Sequence, residues 1–169
     1  MEYPDRKLPR LSGFDYSSPN YYFITICTHN RKRIFGLPDS PDELGLIAEA
    51  ELVNIEKHYS DVRVDKYVIM PNHIHAIIVI DKSDTERSRP FPTLSSIVGL
   101  YKSGVSRKIH EIYPDIEVWQ KSFYDKVICN ETAYFDVWQY IDENPLKWEL
   151  DEYNLSDKEQ NTVVLSKRS

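Results

Sequence analysis

Two apolar, β-branched segments, residues 62–70 (VRVDKYVIM) and 73–80 (HIHAIIVI), are separated only by Pro71-Asn72. A parallel crossover needs a dozen or more residues, so strands joined this tightly must lie side by side and antiparallel. The remaining elements have to be placed around that hairpin.

Residues 21–28 (YYFITICT) are aromatic and β-branched and read as a buried strand, with Asn30 and the basic cluster Arg31, Lys32 and Arg33 as its turn. From residue 42 to 59, Leu44, Ile47, Ala48, Leu52 and Ile55 recur at helical spacing behind Pro41. Thr93 or Ser95 can cap a second helix running to Ile112, with Ile97, Leu100, Val105 and Ile109 on its apolar side. Residues 118–128 read as a weaker fourth strand, and residues 131–143 as a third helix with Asn130 as N-cap. The order β-α-β-β-α-β-α predicts an α+β, ferredoxin-like split βαβ sheet plus a terminal helix. Residues 1–153 are expected to form one domain. Residues 81–92 read as a mobile loop and 154–169 as an acidic polar tail.

The 169 residues, 41% apolar, are enough for a core without disulfides or structural metal. Cys27 and Cys129 lie too far apart in sequence to form a CxxC or knuckle motif, and the longest apolar run, residues 76–80, falls far short of a membrane span. With no recognisable export signal, a cytoplasmic location is expected. The net charge of -6 argues at first against a nucleic-acid partner, but residues 142–160 alone carry -5, whereas residues 1–33 carry +3.

His73 and His75 carry the sharpest chemistry. Residues two apart on a strand point to one face, so the imidazoles can converge on one divalent cation while Ile74 faces the core. Tyr140 and Asn144, at i and i+4 on the last helix, share a face one turn apart, where a nucleophile and a metal-ligating amide oxygen could serve one site. The same two residues also read as a core aromatic and an ordinary C-cap, since Pro145 disfavours the α conformation at Asn144.

The segments YVIMPNHIHAIIVI, VWQKSFYDKVICNE and YIDENPLKW, with YYFITICTHNRKRIFG near the start, resemble the REP-associated tyrosine transposases, single-tyrosine members of the HUH endonucleases. The likeness spans roughly residues 10–150. It implies the same ferredoxin-like fold, with His73 and His75 holding Mg²⁺ or Mn²⁺, Asn144 completing the metal shell, and Tyr140 as the nucleophile. It also implies single-stranded DNA as substrate, often a repeat hairpin with a guide sequence at its foot, and strand transfer through a 5′-phosphotyrosine. Mn²⁺ tolerates imidazole better than Mg²⁺ does.

Single strands are usually gripped by a basic groove with aromatic platforms, for which Arg31, Lys32, Arg33, Tyr101, Lys102, Arg107 and Lys108 are the candidates. A non-catalytic single-strand binder of the same fold, or a phosphoesterase that uses water, would carry many of the same residues. Sequence leaves the oligomeric state, monomer or dimer, open.

Overall fold

The computed structural model describes residues 20–81, 89–151 and 154. The expected loop at 82–88 and the tail at 155–169 lie outside the described residues.

In chain order the elements are β1 (Asn20–Cys27), β2 (Gly36–Leu37), β3 (Ser40–Pro41), α1 (Glu43–His58), β4 (Val62–Ile69), β5 (His73–Ile80), α2 (Leu94–Ile112), β6 (Tyr124–Ile128) and α3 (Glu131–Glu143). The four long strands form one antiparallel sheet in the order β4-β5-β1-β6, the ferredoxin-like arrangement expected from the element order. The short β2-β3 hairpin is an addition that the sequence pattern did not announce. Its first residue, Gly36, has φ +83, and a Cβ there would come within 2.4 Å of the Asp42 backbone nitrogen.

Each helix starts on a side-chain cap. Asp42 accepts from the backbone N–H groups of Leu44 and Gly45 at 3.1 Å, Thr93 from Ser96 at 3.1 Å, and Asn130 from Ala133 at 2.8 Å. These bonds satisfy donors that the first helical turn leaves unpaired, which is why the three starts were legible.

Period-two alternation divides the sheet between two cores. Tyr22, Ile24 and Ile26 of β1 and Ile74, Ala76, Ile78 and Ile80 of β5 pack under α1 and α2. The alternate residues Phe23, Ile77 and Val79 pack with Ile128 and Ile141 against α3, on the opposite face. Gly104 lets α2 come close to α1, since a Cβ there would meet the Glu51 carboxylate at 2.4 Å.

β4 ends at Ile69, one residue short of the 62–70 segment, and its register with β5 shifts between Val64 and Lys66. The extra residue, Asp65, puts Tyr67 and Ile69 in the α1/α2 core beside Val62 and Val64, and turns Lys66 toward Asp142 of α3, 2.7 Å away. The fourth strand is also shorter than residues 118–128. Val118 and Trp119 instead close over the end of β1, where His29 N–H donates to Val118 O at 2.9 Å and Trp119 bridges Thr28.

Candidate active site

His73 and His75 both lie on the α3 face of β5, both 0% exposed, with ring centroids 4.6 Å apart. Ile74 between them lies in the α1/α2 core. β1 contributes the next layer. Thr25 pairs with His75 across the strands, and its hydroxyl lies 2.8 Å from His75 Nδ1. Phe23 stacks on the His75 ring at 5.3 Å.

His73 has a fixed partner as well. Its Nδ1 lies 2.8 Å from Asn72 Oδ1, an atom that can only accept, so Nδ1 carries the proton and Nε2 keeps its lone pair. Both Nδ1 atoms thus have a partner within the sheet, and metal-binding imidazoles are usually oriented by such a bond from the second ring nitrogen. Burial pushes the His73 imidazole well below its ordinary proton affinity, helped by the neighbouring His75 and Arg31 charges and opposed by Asn144. Burial alone brings His75 down to about 3. Both rings are therefore neutral at physiological pH, the form that ligates cations.

α3 brings the remaining groups. The Tyr140 hydroxyl sits 3.4 Å from His75 Nε2, with the two rings 5.2 Å apart and Phe23 edge-on to Tyr140 at 6.0 Å. Asn144, one turn later, is buried at 3% exposure. It is not the left-handed cap that the following proline suggested. Its backbone is right-handed helical at φ -57, ψ -43, because the chain continues as a tight turn through Pro145. Its Nδ2 leans toward Tyr140 O at 3.4 Å, and its Oδ1 is buried with no hydrogen-bond partner.

A buried carbonyl left this way is costly and calls for an explanation such as an ion or water. Among the described residues no third His, Cys, Asp or Glu joins the pair of histidines. Two neutral imidazoles and one amide oxygen make a mixed nitrogen and oxygen donor set that suits a divalent cation, Mn²⁺ better than Mg²⁺. The residues present therefore fit such an ion.

Trp148, the last residue of the YIDENPLKW segment, lies beside the site. Its ring lies 6.1 Å from that of His73, and the Arg33 guanidinium stacks on it at 5.4 Å. Asn154 donates from Nδ2 to Trp148 O at 2.9 Å and bonds Arg33, so residue 154, placed in the tail by composition, is packed against this wall.

The expected DNA-gripping residues divide. Tyr101 is not a base platform: it is 2% exposed in the α1/α2 core and its hydroxyl donates to Ala48 O at 2.9 Å. Lys102 is half-buried, with its ammonium donating to Gln120 O at 2.5 Å, and Lys108 pairs with Glu51. Neither offers an open charge to phosphate, because α2 turns these side chains toward its neighbours in the fold. Arg31 is buried, its charge felt at the His73 ring, while Lys32, Arg33 and Arg107 are exposed.

A family model described as "Transposase IS200 like" matches residues 17–144, most of the chain, including His73, His75, Tyr140 and Asn144. The chain belongs to the IS200-like transposase family. An uncharacterized protein of Haemophilus influenzae is 34% identical over 168 residues, covering 87% of this chain and 92% of that one. The fold is shared with a REP-associated tyrosine transposase solved bound to a REP hairpin, at TM-score 0.59 and 18% identity over 87% of this chain and 74% of that one. It is shared too with a putative transposase from Deinococcus radiodurans, at TM-score 0.51 and 15% identity, covering 80% and 97% of the two chains. Among the described residues, no helix of this transposase-family chain is long and apolar enough to cross a membrane.

Proposed function

We propose that the protein is a single-stranded DNA endonuclease and strand transferase of the REP-associated type, with Tyr140 as nucleophile and His73, His75 and Asn144 as the ligands of Mg²⁺ or Mn²⁺. The observation that carries this reading is the Tyr140 hydroxyl lying 3.4 Å from His75 Nε2, on the sheet face that also holds His73 and the buried Asn144 carbonyl. When bound, the ion would polarise the scissile phosphodiester and neutralise the charge that develops on it.

A free phenol has a pKa of about 10, so only about 0.1% is ionised at pH 7. Tyr140 must lose its proton as its oxygen bonds to phosphorus, while the bond from phosphorus to the 3′ oxygen breaks and that oxygen leaves as a hydroxyl. The product is a 5′-phosphotyrosine beside a free 3′-OH. Because one phosphoester is exchanged for another, the reverse attack by a 3′-OH rejoins strands without ATP. Phe23 lies edge-on to the Tyr140 ring at 6.0 Å, which limits the directions in which the hydroxyl can point. Lys32, Arg33 and Arg107 supply exposed positive charge for the strand, and Arg31 supplies buried charge next to His73.

The hairpin bound by the structurally similar transposase supports a repeat hairpin with flanking single strand as the substrate class. The test is incubation of labelled single-stranded and hairpin oligonucleotides with the protein and Mn²⁺, followed by denaturing gels. A covalent protein–DNA band that Tyr140→Phe lacks supports the proposal. Binding without cleavage would favour a non-catalytic binder, and cleavage without a covalent band a water-using phosphoesterase.

A further inference from the structure

We propose that Asn72 is a positioning residue that locks the proton of His73 on Nδ1 and ties that imidazole to the basic turn after β1. Its consequence for metal binding rests on the reading of His73 as a ligand; its consequence for the tautomer does not.

Asn72 is 0% exposed and is the last of the three residues, Met70 to Asn72, that connect β4 to β5. Its side chain faces two ways. Oδ1 lies 2.8 Å from His73 Nδ1, and Nδ2 donates to the backbone carbonyl of Arg31 at 3.1 Å. Only this orientation of the amide works, because a flip would set its carbonyl against that of Arg31. The Arg31 carbonyl thus fixes the amide, and the amide fixes His73 as the Nδ1–H tautomer.

The turn on the other side of this bracket is strained. Asn30 and Arg31 both have left-handed backbones, at φ 51 and 53. Asparagine tolerates that region, but arginine adopts it only when its surroundings demand it. Here they do. Arg31 N–H donates to Thr28 O at 3.0 Å, Asn72 holds the Arg31 carbonyl, and the Asn72 backbone carbonyl accepts from Thr28 N–H at 3.0 Å. Pro71 O accepts from Ile34 and Phe35 at 3.0 and 3.2 Å, clamping the far end of the same turn. One asparagine therefore couples the orientation of His73 to the placement of Arg31, Lys32 and Arg33.

The experiment uses the full chain free of metal. Long-range ¹H–¹⁵N NMR of labelled protein reads the His73 tautomer, manganese titration reads affinity for Mn²⁺, and a labelled single-stranded oligonucleotide in EDTA reads the basic turn. In the unsubstituted protein His73 is the Nδ1–H tautomer. Asn72→Ala is expected to populate Nε2–H, to weaken Mn²⁺ about 10- to 100-fold, and to weaken metal-free oligonucleotide binding about three- to tenfold. Asn72→Asp keeps the acceptor, so it retains the Nδ1–H tautomer and Mn²⁺ affinity close to that of the unsubstituted protein. An unchanged tautomer and Mn²⁺ affinity in Asn72→Ala would overturn the proposal. If that variant fails to fold, an Nε2–H His73 in Asn72→Asp would overturn it instead. Absence of Mn²⁺ binding by the unsubstituted protein would sink the metal reading, while the tautomer of Asn72→Ala would still decide the role of Asn72.

Discussion

The two faces of the sheet are built from the same strands and do opposite work. Toward α1 and α2, β1 and β5 present an unbroken apolar series, Tyr22, Ile24, Ile26, Ile74, Ala76, Ile78 and Ile80. Toward α3, the same strands start apolar with Val79, Ile77 and Phe23 and then turn polar with Thr25, His75 and His73. Two long helices seal the first face, whereas a single helix and Trp148 cover the second. Period-two alternation lets one face hold the fold while its neighbour, one residue away, carries the neutral imidazoles of His73 and His75. Stability and chemistry are separated by strand parity rather than by distance along the chain.

Substitutions on alternate residues of β5 break this comparison most strongly. His73→Ala or His75→Ala is expected to reduce Mn²⁺-dependent DNA cleavage by at least about a hundredfold. Ile74→Val, between them, costs about 0.5–1.5 kcal/mol of stability and leaves cleavage intact. Cleavage assays with paired denaturant titrations check both, and equal damage to cleavage from all three changes would make the segment purely structural.

Acid should attack the second face selectively. Each histidine is neutral when folded and takes up a proton when unfolded below about pH 6.5, so metal-free stability falls as pH drops from 6.5 toward the depressed folded values. The slope is about 1.4 kcal/mol per pH unit for each ring, or roughly 2 kcal/mol per ring by pH 5. Denaturation midpoints at pH 7.5 and 5 measure it, and His75→Leu should flatten the dependence by about half.

Asn144 separates ligand from scaffold. Asn144→Ala removes a buried carbonyl that lacks a partner, so metal-free stability is expected to hold or rise by up to about 1 kcal/mol while Mn²⁺ affinity falls about tenfold or more. Asn144→Gln, which keeps an amide on a longer arm, should restore part of that affinity. Thermal melts and manganese titration give the two signs separately. The smallest effect belongs to the first face: Tyr101→Phe loses only the bond to Ala48 O, about 1 kcal/mol, and leaves oligonucleotide affinity in a filter-binding assay unchanged.

Most of the fold was legible because local signals agreed. The caps Asp42, Thr93 and Asn130 and the tight Pro71-Asn72 connection each fix one boundary by chemistry that needs no tertiary context. The convergence of His73 with His75 followed from strand parity. What sequence could not give were contacts set by register and long-range packing. Thr25 meets His75 only because β1 pairs with β5 in one particular alignment, and Trp148 reaches His73 only after the chain turns beyond α3. The basic residues of α2 misled for a related reason. Helical spacing places Tyr101, Lys102 and Lys108 on the helix, but the neighbours across the interface decide whether they meet solvent. Asn144 is the C-cap of α3, as a residue before proline at a helix end reads, but its backbone stays right-handed helical because the chain continues as a turn.

The proposed reaction turns on Tyr140 attacking DNA beside the two histidines of its own chain. The most direct measurement is to form the protein–DNA product on a single-stranded oligonucleotide with Mn²⁺, digest the protein, and locate the nucleotide-bearing peptide by mass spectrometry. The account predicts a 5′-phosphoryl adduct on Tyr140, absent when Tyr140→Phe is used. An adduct on Tyr124, or on any other tyrosine with Tyr140→Phe still active, would contradict it.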